Sequence, residues 1–245
     1  MAILQFEGSY NSRDLGGLPT NDGKVTQSKV LIRSGNLDKL TQAGQQSVLG
    51  YGIQTIIDLR NEWEMEYYPN VFAESDKLTY LPLPLIGDNL SHDTEWQKHT
   101  RDYVELHELY IKYLDGCQAQ IGQIVSAIVE QNSPVIIHCH AGKDRTGIIS
   151  ALVLGAVGAT DEAIAKDYAL TKKYIQHLIV EWRDYAIEND RDLEQFERDN
   201  ATNPKTIYEM FRHIRTSYGS IKDYLKQCGL SDKQLSRLRE KLIRT

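Results

Sequence analysis

Cysteine is scarce in this chain: Cys117, Cys139 and Cys228 are the only three among 245 residues. That number excludes a disulfide framework, and a thiol that is to react needs a reducing compartment to escape oxidation. Long apolar runs are missing, so no membrane span is legible and no stable membrane insertion is expected. The opening Met1-Ala-Ile-Leu-Gln-Phe-Glu-Gly8 lacks the basic stretch and apolar core of a signal peptide. Cytoplasm is the expected compartment. Positive charge is not in excess: 28 Lys and Arg stand against 34 Asp and Glu, a net charge of −6. This argues against nucleic acid as a partner, but not against a small anion held by a local field. No internal repeat or low-complexity tract is evident. What is there, 41% hydrophobic and 25% charged residues, is ordinary for a globular protein. The length fits one domain over residues 1–245.

The informative stretch is Pro134-Val-Ile-Ile-His-Cys-His-Ala-Gly-Lys-Asp-Arg-Thr-Gly147. Val135, Ile136 and Ile137 are consecutive β-branched residues, which predicts a strand covered on both faces. Pro134 suits a strand's first position, where no ladder N–H is lost. From Thr146 an apolar run predicts a buried helix. Five residues separate Cys139 from Arg145 in the loop between them. A short loop wrapped around a helix N-terminus aims several backbone N–H groups at one spot. Gly142 supplies the φ freedom for the wrap, and Arg145 adds a planar fork for two phosphoryl oxygens. Cys139 at the bottom of this cup would attack phosphorus as a thiolate, the nucleophilic form of cysteine. Thr146 can donate its hydroxyl to the sulfur, and His138 can fix the loop by hydrogen bonding.

This His138-Cys139-x5-Arg145-Thr146 arrangement resembles the signature of cysteine-dependent phosphatases. The Ala141-Gly-Lys-Asp-Arg-Thr-Gly147 run is similar to the bacterial branch of protein tyrosine phosphatases with dual or triple specificity. Asn11-Ser-Arg-Asp-Leu-Gly-Gly17, Leu31-Ile-Arg-Ser-Gly-Asn36 and Ile56-Ile-Asp-Leu-Arg60 also look like this branch, so the likeness runs from about residue 8 to the end. His140 departs from relatives at its position. The resemblance implies an α/β fold with a central, mainly parallel sheet of four or five strands flanked by helices. It implies hydrolysis of phosphotyrosine, with phosphoserine, phosphothreonine and phosphoinositides as further substrates, and no cofactor or metal. A lysine matching Lys143 accompanies action on such lipids; the bland alternative is a solvated lysine offsetting Asp144. For the general acid the resemblance points to Asp144 or Asp58, Asp144 ranked first, with Asp88 and Asp93 behind because the usual Trp-Pro-Asp pattern is missing.

Along the rest of the chain, Asn21-Asp-Gly23 predicts a reversal before a strand at Val30–Arg33. Arg13 and Asp14 are either site residues or a turn whose charges pair with each other, the turn being favoured, and Arg33 is open in the same way. Thr41 caps a helix over Gln42–Leu49 that stops at Gly50. Ile53–Arg60 forms a strand whose charged tail emerges at the carboxyl end, where sites form in parallel sheets. Asp58 is there either as a site residue or as a brace to Arg60. Thr79–Leu83 predicts an edge strand. Residues 87–98 read as a polar mobile loop, with His92 and His99 in solvent. Apolar stripes around Tyr110 and Ile124 are core helices. Asp161–Ala169 is a helix, and Thr171–Arg198 a long aromatic one. Residues 171–200 are either a helical lid or plain packing, and three helices follow in 204–245.

The expected chemistry is therefore phosphomonoester hydrolysis. Cys139 attacks, Arg145 binds the phosphoryl group, and N–H groups from His140, Ala141, Gly142, Lys143, Asp144 and Arg145 hold its oxygens. Two rivals are a rhodanese-type sulfurtransferase, which also uses a loop cysteine, and a phosphate-binding module without turnover.

Overall fold

A computed structural model describes residues 2–87, 90, 92–132 and 134–243. Six strands form one sheet in the order β1-β2-β3-β6-β4-β5: β1 (Ala2–Ile3), β2 (Arg13–Asp14), β3 (Leu31–Ser34), β4 (Thr55–Asp58), β5 (Thr79–Pro82) and β6 (Val135–His138). The four strands β3, β6, β4 and β5 run parallel, and β1 and β2 add an antiparallel edge. The α/β fold is as expected. The sheet has six strands instead of four or five because Arg13–Asp14 pairs with Ile32–Arg33; two residues are too few to display a strand's period.

The side-chain alternation of a strand sorts the core into two layers. Ile136 stands beside Ile32 and Ile56 in register, and with Phe6, Val48 and Phe72 these fill one face of the sheet. Val135, Ile137, Leu31 and Ile57 point the other way into the larger core. That layer is covered by α4 (Leu106–Gly116), α5 (Gln118–Glu130), α6 (Asp144–Ala156), α7 (Asp161–Tyr174), α10 (Pro204–Tyr218), α11 (Ile221–Gln227) and α12 (Asp232–Leu242). Helix α6 is apolar on all sides because it runs through the middle of this layer, with Ile148, Ile149, Leu152 and Val153 fully buried. Among the described residues no helix is long and apolar enough to cross a membrane.

Several boundaries move. Helix α1 (Gln42–Tyr51) is capped by Thr41 as expected but runs through Gly50, ending at Gly52 with φ 94°. Helix α2 (Glu62–Tyr67) follows β4. The polar segment is helical from Thr94: α3 (Thr94–Arg101) starts at Asp93, whose carboxylate accepts from the N–H groups of Glu95 and Trp96. Asp93 is thus a helix cap, and Asp88 lies outside the described residues. The long helix expected from Thr171 divides into the end of α7, then α8 (Gln176–Glu188) and α9 (Leu193–Asn200). Helix α6 begins at Asp144, two residues earlier than the apolar run implied.

Candidate active site

Parallel register carries the carboxyl ends of β3, β4 and β6 to one edge, with Ser34, Asp58 and His138 side by side. Cys139 is the next residue, 2% exposed and unbridged. The loop from Cys139 to α6 is held from outside by its carbonyls. His140 O accepts from the Tyr10 hydroxyl at 2.9 Å and the Asn36 N–H at 2.8 Å. Asn11 Nδ2 donates to Ala141 O at 2.9 Å and Gly142 O at 3.0 Å, and an Arg33 guanidinium nitrogen reaches Gly142 O at 2.5 Å. In a trans peptide the N–H opposes the C=O. Three outward carbonyls therefore turn the N–H groups of Ala141, Gly142 and Lys143 away from the donors that hold them. Gly142 has φ 67°, and a Cβ there would lie 2.3 Å from Ser34 O, so only glycine fits.

Arg145 meets Glu64 of α2 through both terminal guanidinium nitrogens, Nη2 to Oε1 at 2.8 Å and Nη1 to Oε2. Glu64 Oε2 also accepts from Asn61 N–H at 3.0 Å. Burial alone would raise the Glu64 carboxyl; the Arg145 guanidinium outweighs it and holds the group below its ordinary value. Asp144, first residue of α6, accepts from the Tyr110 hydroxyl at 2.8 Å, and Tyr110 is bonded in turn to Tyr168 at 2.9 Å. The Asp144 side chain keeps 34% exposure, and Lys143 Nζ lies 3.5 Å from the same Oδ1 that Tyr110 reaches. Thr146 Oγ1 is buried and has no hydrogen-bond partner among the described residues.

Asp58 belongs to a different arrangement. It is fully buried, with Oδ2 at 2.6 Å from Arg60, 2.8 Å from the Tyr80 hydroxyl and 3.3 Å from His138 Nε2. Burial pushes its carboxyl up, but His138 and Arg60 overcome that and hold it far below the carboxylate range. A carboxylate so placed braces the strand ends. His138 also contacts Asn70 Nδ2 at 3.0 Å and Cys139 O at 3.2 Å, which ties the Cys139 backbone to the brace. Arg13 and Asp14 do not pair. Arg13 and Arg33 each reach Asp167 at 2.6 Å, while Asp14 accepts from the backbone of Gly16 and Lys29 and from Tyr51.

The loop is covered by residues of the 171–200 segment. Ile175 and Ile179 pack on Ala141, joined by Leu178, Trp182 and Phe196. The His140 ring lies between Tyr68, at 5.5 Å between centroids, and Trp182, at 6.1 Å. Burial first, and then Arg145 and Arg60 against the pull of Glu64, push its imidazole below the ordinary value. Lys143 is buried, not solvated, and its Nζ lies 3.5 Å from Asp144 Oδ1, so it does offset that carboxylate. Its Nζ donates to Asp199 O at 2.8 Å and Asn200 Oδ1 at 3.5 Å, at the carboxyl end of α9, where a cation also meets the helix dipole.

This geometry, a buried cysteine at one end of a wrapped loop and an arginine held by Glu64 at the other, agrees with a family match. Residues 4–244 match the model of the tyrosine phosphatase family. The chain belongs to that family. A tyrosine-protein phosphatase of Nostoc commune is 28% identical over 219 residues, covering 86% of this chain and 73% of that protein. The triple specificity protein phosphatase PtpB of Mycobacterium tuberculosis is 25% identical over an alignment of 281 residues that takes in 99% of this chain and all of that protein. The chain is accordingly a cysteine-based tyrosine phosphatase, and the sulfurtransferase alternative falls away. Sequence reasoning missed the loop's outer supports, Tyr10, Asn11, Asn36 and Glu64. The signal was partly present: Asn11 and Asn36 bound the two N-terminal motifs that accompany the loop in the likeness.

Proposed function

We propose that Cys139 is the nucleophile of a two-step phosphomonoester hydrolysis and that Asp144 is its general acid. The thiolate attacks phosphorus, the bond to the leaving oxygen breaks, and Asp144 gives that oxygen its proton. In the second step Asp144 takes a proton from water, the water oxygen attacks phosphorus, the S–P bond breaks and the thiolate returns. Thr146, whose buried hydroxyl has no partner among the described residues, donates to the sulfur as it leaves. Arg145 and the loop N–H groups hold the equatorial oxygens in both steps. The observation that carries this reading is the outward anchoring of the His140, Ala141 and Gly142 carbonyls, which leaves a nest of N–H groups.

For the acid, exposure supports Asp144 over Asp58. Asp144 is 34% exposed with Tyr110 and Lys143 both at Oδ1, whereas Asp58 is buried in its brace. Residues 171–200 act as a lid, since Cys139 is nearly inaccessible beneath a cover that packs on His140 and Ala141. A phosphorylated side chain needs that cover to move. Lys143, released from Asp199 when α9 moves, becomes free to meet additional phosphates on a substrate. The substrates we propose are phosphotyrosine proteins, with phosphoserine, phosphothreonine and phosphoinositides in addition. The name of PtpB supports breadth beyond phosphotyrosine. A panel of phosphopeptides and phosphoinositides, assayed on wild type and K143A, tests this. A greater loss of kcat/KM on phosphoinositides than on a phosphotyrosine peptide is expected, shrinking at high salt; equal losses would contradict it.

A further inference from the structure

We propose that Asn11 is a positioning residue that sets the phosphate-binding loop, acting from a strained backbone outside the loop itself. Asn11 is 3% exposed and has φ 58°, a left-handed conformation that favours glycine and that asparagine adopts more readily than most residues. Every polar atom of its side chain is used. Nδ2 donates to Ala141 O and Gly142 O, at 2.9 and 3.0 Å, and Oδ1 accepts from the Arg13 guanidinium. Arg13 in turn is fixed by Asp167, by Thr171 and by the Asn11 carbonyl at 3.1 Å. The amide is thus locked with its donor end toward the loop, because Oδ1 is committed to a cation behind it.

The consequence is electrostatic. Two carbonyls that would otherwise be free to rotate inward, against an incoming phosphate, are held outward by one NH2 group. Arg33 adds a second hold on Gly142 O and shares Asp167 with Arg13. An anion site built from backbone N–H groups is useful only when the peptides are preset, since turning them during binding would draw on the binding energy. The strain at Asn11 fits this role: a left-handed residue costs free energy and persists where its surroundings enforce it.

The proposal rests on the loop being the phosphate site, and its test separates the two ideas. Inorganic phosphate and orthovanadate are titrated as competitive inhibitors of wild type, N11G and N11D. Melting temperatures are taken with and without phosphate. Glycine accepts φ 58° and removes only the side chain; aspartate keeps the shape and replaces both donors by acceptors. A control of comparable packing loss far from the loop is I128V. We expect the phosphate and vanadate inhibition constants to rise about tenfold or more in N11G, and further in N11D, as hydrogen bonds to buried carbonyls are lost. Stabilisation by phosphate should disappear in parallel, while I128V lowers the melting temperature and leaves the constants unchanged. Wild-type constants in a folded N11G or N11D overturn the proposal. So does failure of both to fold, which would make Asn11 a residue of the fold and not of the loop. If wild type itself ignores phosphate, the loop reading fails first, and the proposal with it.

Discussion

Arg145 and Glu64 face each other through two hydrogen bonds, although they lie 81 positions apart in the chain. Glu64 in turn takes the Asn61 N–H at the start of α2, so the short helix after β4 sets where the guanidinium fork points. A bidentate pair fixes orientation as well as charge.

Replacing Glu64 by alanine should therefore loosen Arg145 without removing it. The expected loss in kcat/KM on an aryl phosphate is about 10- to 100-fold, or about 1.4–2.8 kcal/mol of transition-state binding. E64Q, which keeps one acceptor, should lose less. Unchanged kinetics in E64A would mean that Arg145 is oriented by something else.

The assignment of Asp144 predicts a dependence on the leaving group. D144N should slow esters with poor leaving groups by about 10²–10⁴-fold and affect para-nitrophenyl phosphate much less. A plot of log kcat against leaving-group pKa should steepen. An unaltered slope would place the acid elsewhere.

Much of this centre was legible before any coordinates. The strand, the wrapped loop and the helix around Cys139 are local, and local patterns write themselves into ten or fifteen neighbouring residues. Asn11 with Ala141, Arg33 with Gly142, and Glu64 with Arg145 are pairings across the sheet, and nothing near either partner announces the other. The brace at Asp58 was one of two open readings, and what favours it is burial among Arg60, Tyr80 and His138, which the sequence does not display. The helix over Thr94–Arg101 was missed although Asp93 stands as its cap, because the segment lacks an apolar stripe to set its period.

Asp58 also predicts a pH dependence of stability. Its folded carboxyl is held well below the ordinary value of 3.8. The stabilisation is thus fully present above that value and is lost as pH falls below it, where the unfolded chain takes up the proton first. D58N leaves Arg60 without its charge partner in a buried position and should cost about 3–5 kcal/mol at about pH 7. Urea unfolding repeated at about pH 3 should show a smaller gap between wild type and D58N. A gap that stays constant or widens contradicts the brace.

The cover over the loop makes a prediction about access. Trp182→Ala removes the ring that lies against His140, and should open the cover more often. Alkylation of Cys139 by iodoacetamide, followed by peptide mass, should then run several-fold faster than in wild type, because exposure by local opening scales with the open population. Equal rates would mean that the cover does not limit access to the thiol.

The central claim is that phosphate passes through Cys139. Wild-type protein mixed with a rapidly cleaved aryl phosphate, quenched in acid within the first turnover and digested, should yield a peptide containing Cys139 that is heavier by one phosphoryl group. C139S should give no such adduct and no turnover, yet should still bind phosphate, because the alcohol is barely ionised while the loop around it is intact. A phosphoryl group found on a histidine or an aspartate instead, or turnover retained in C139S, would contradict the account.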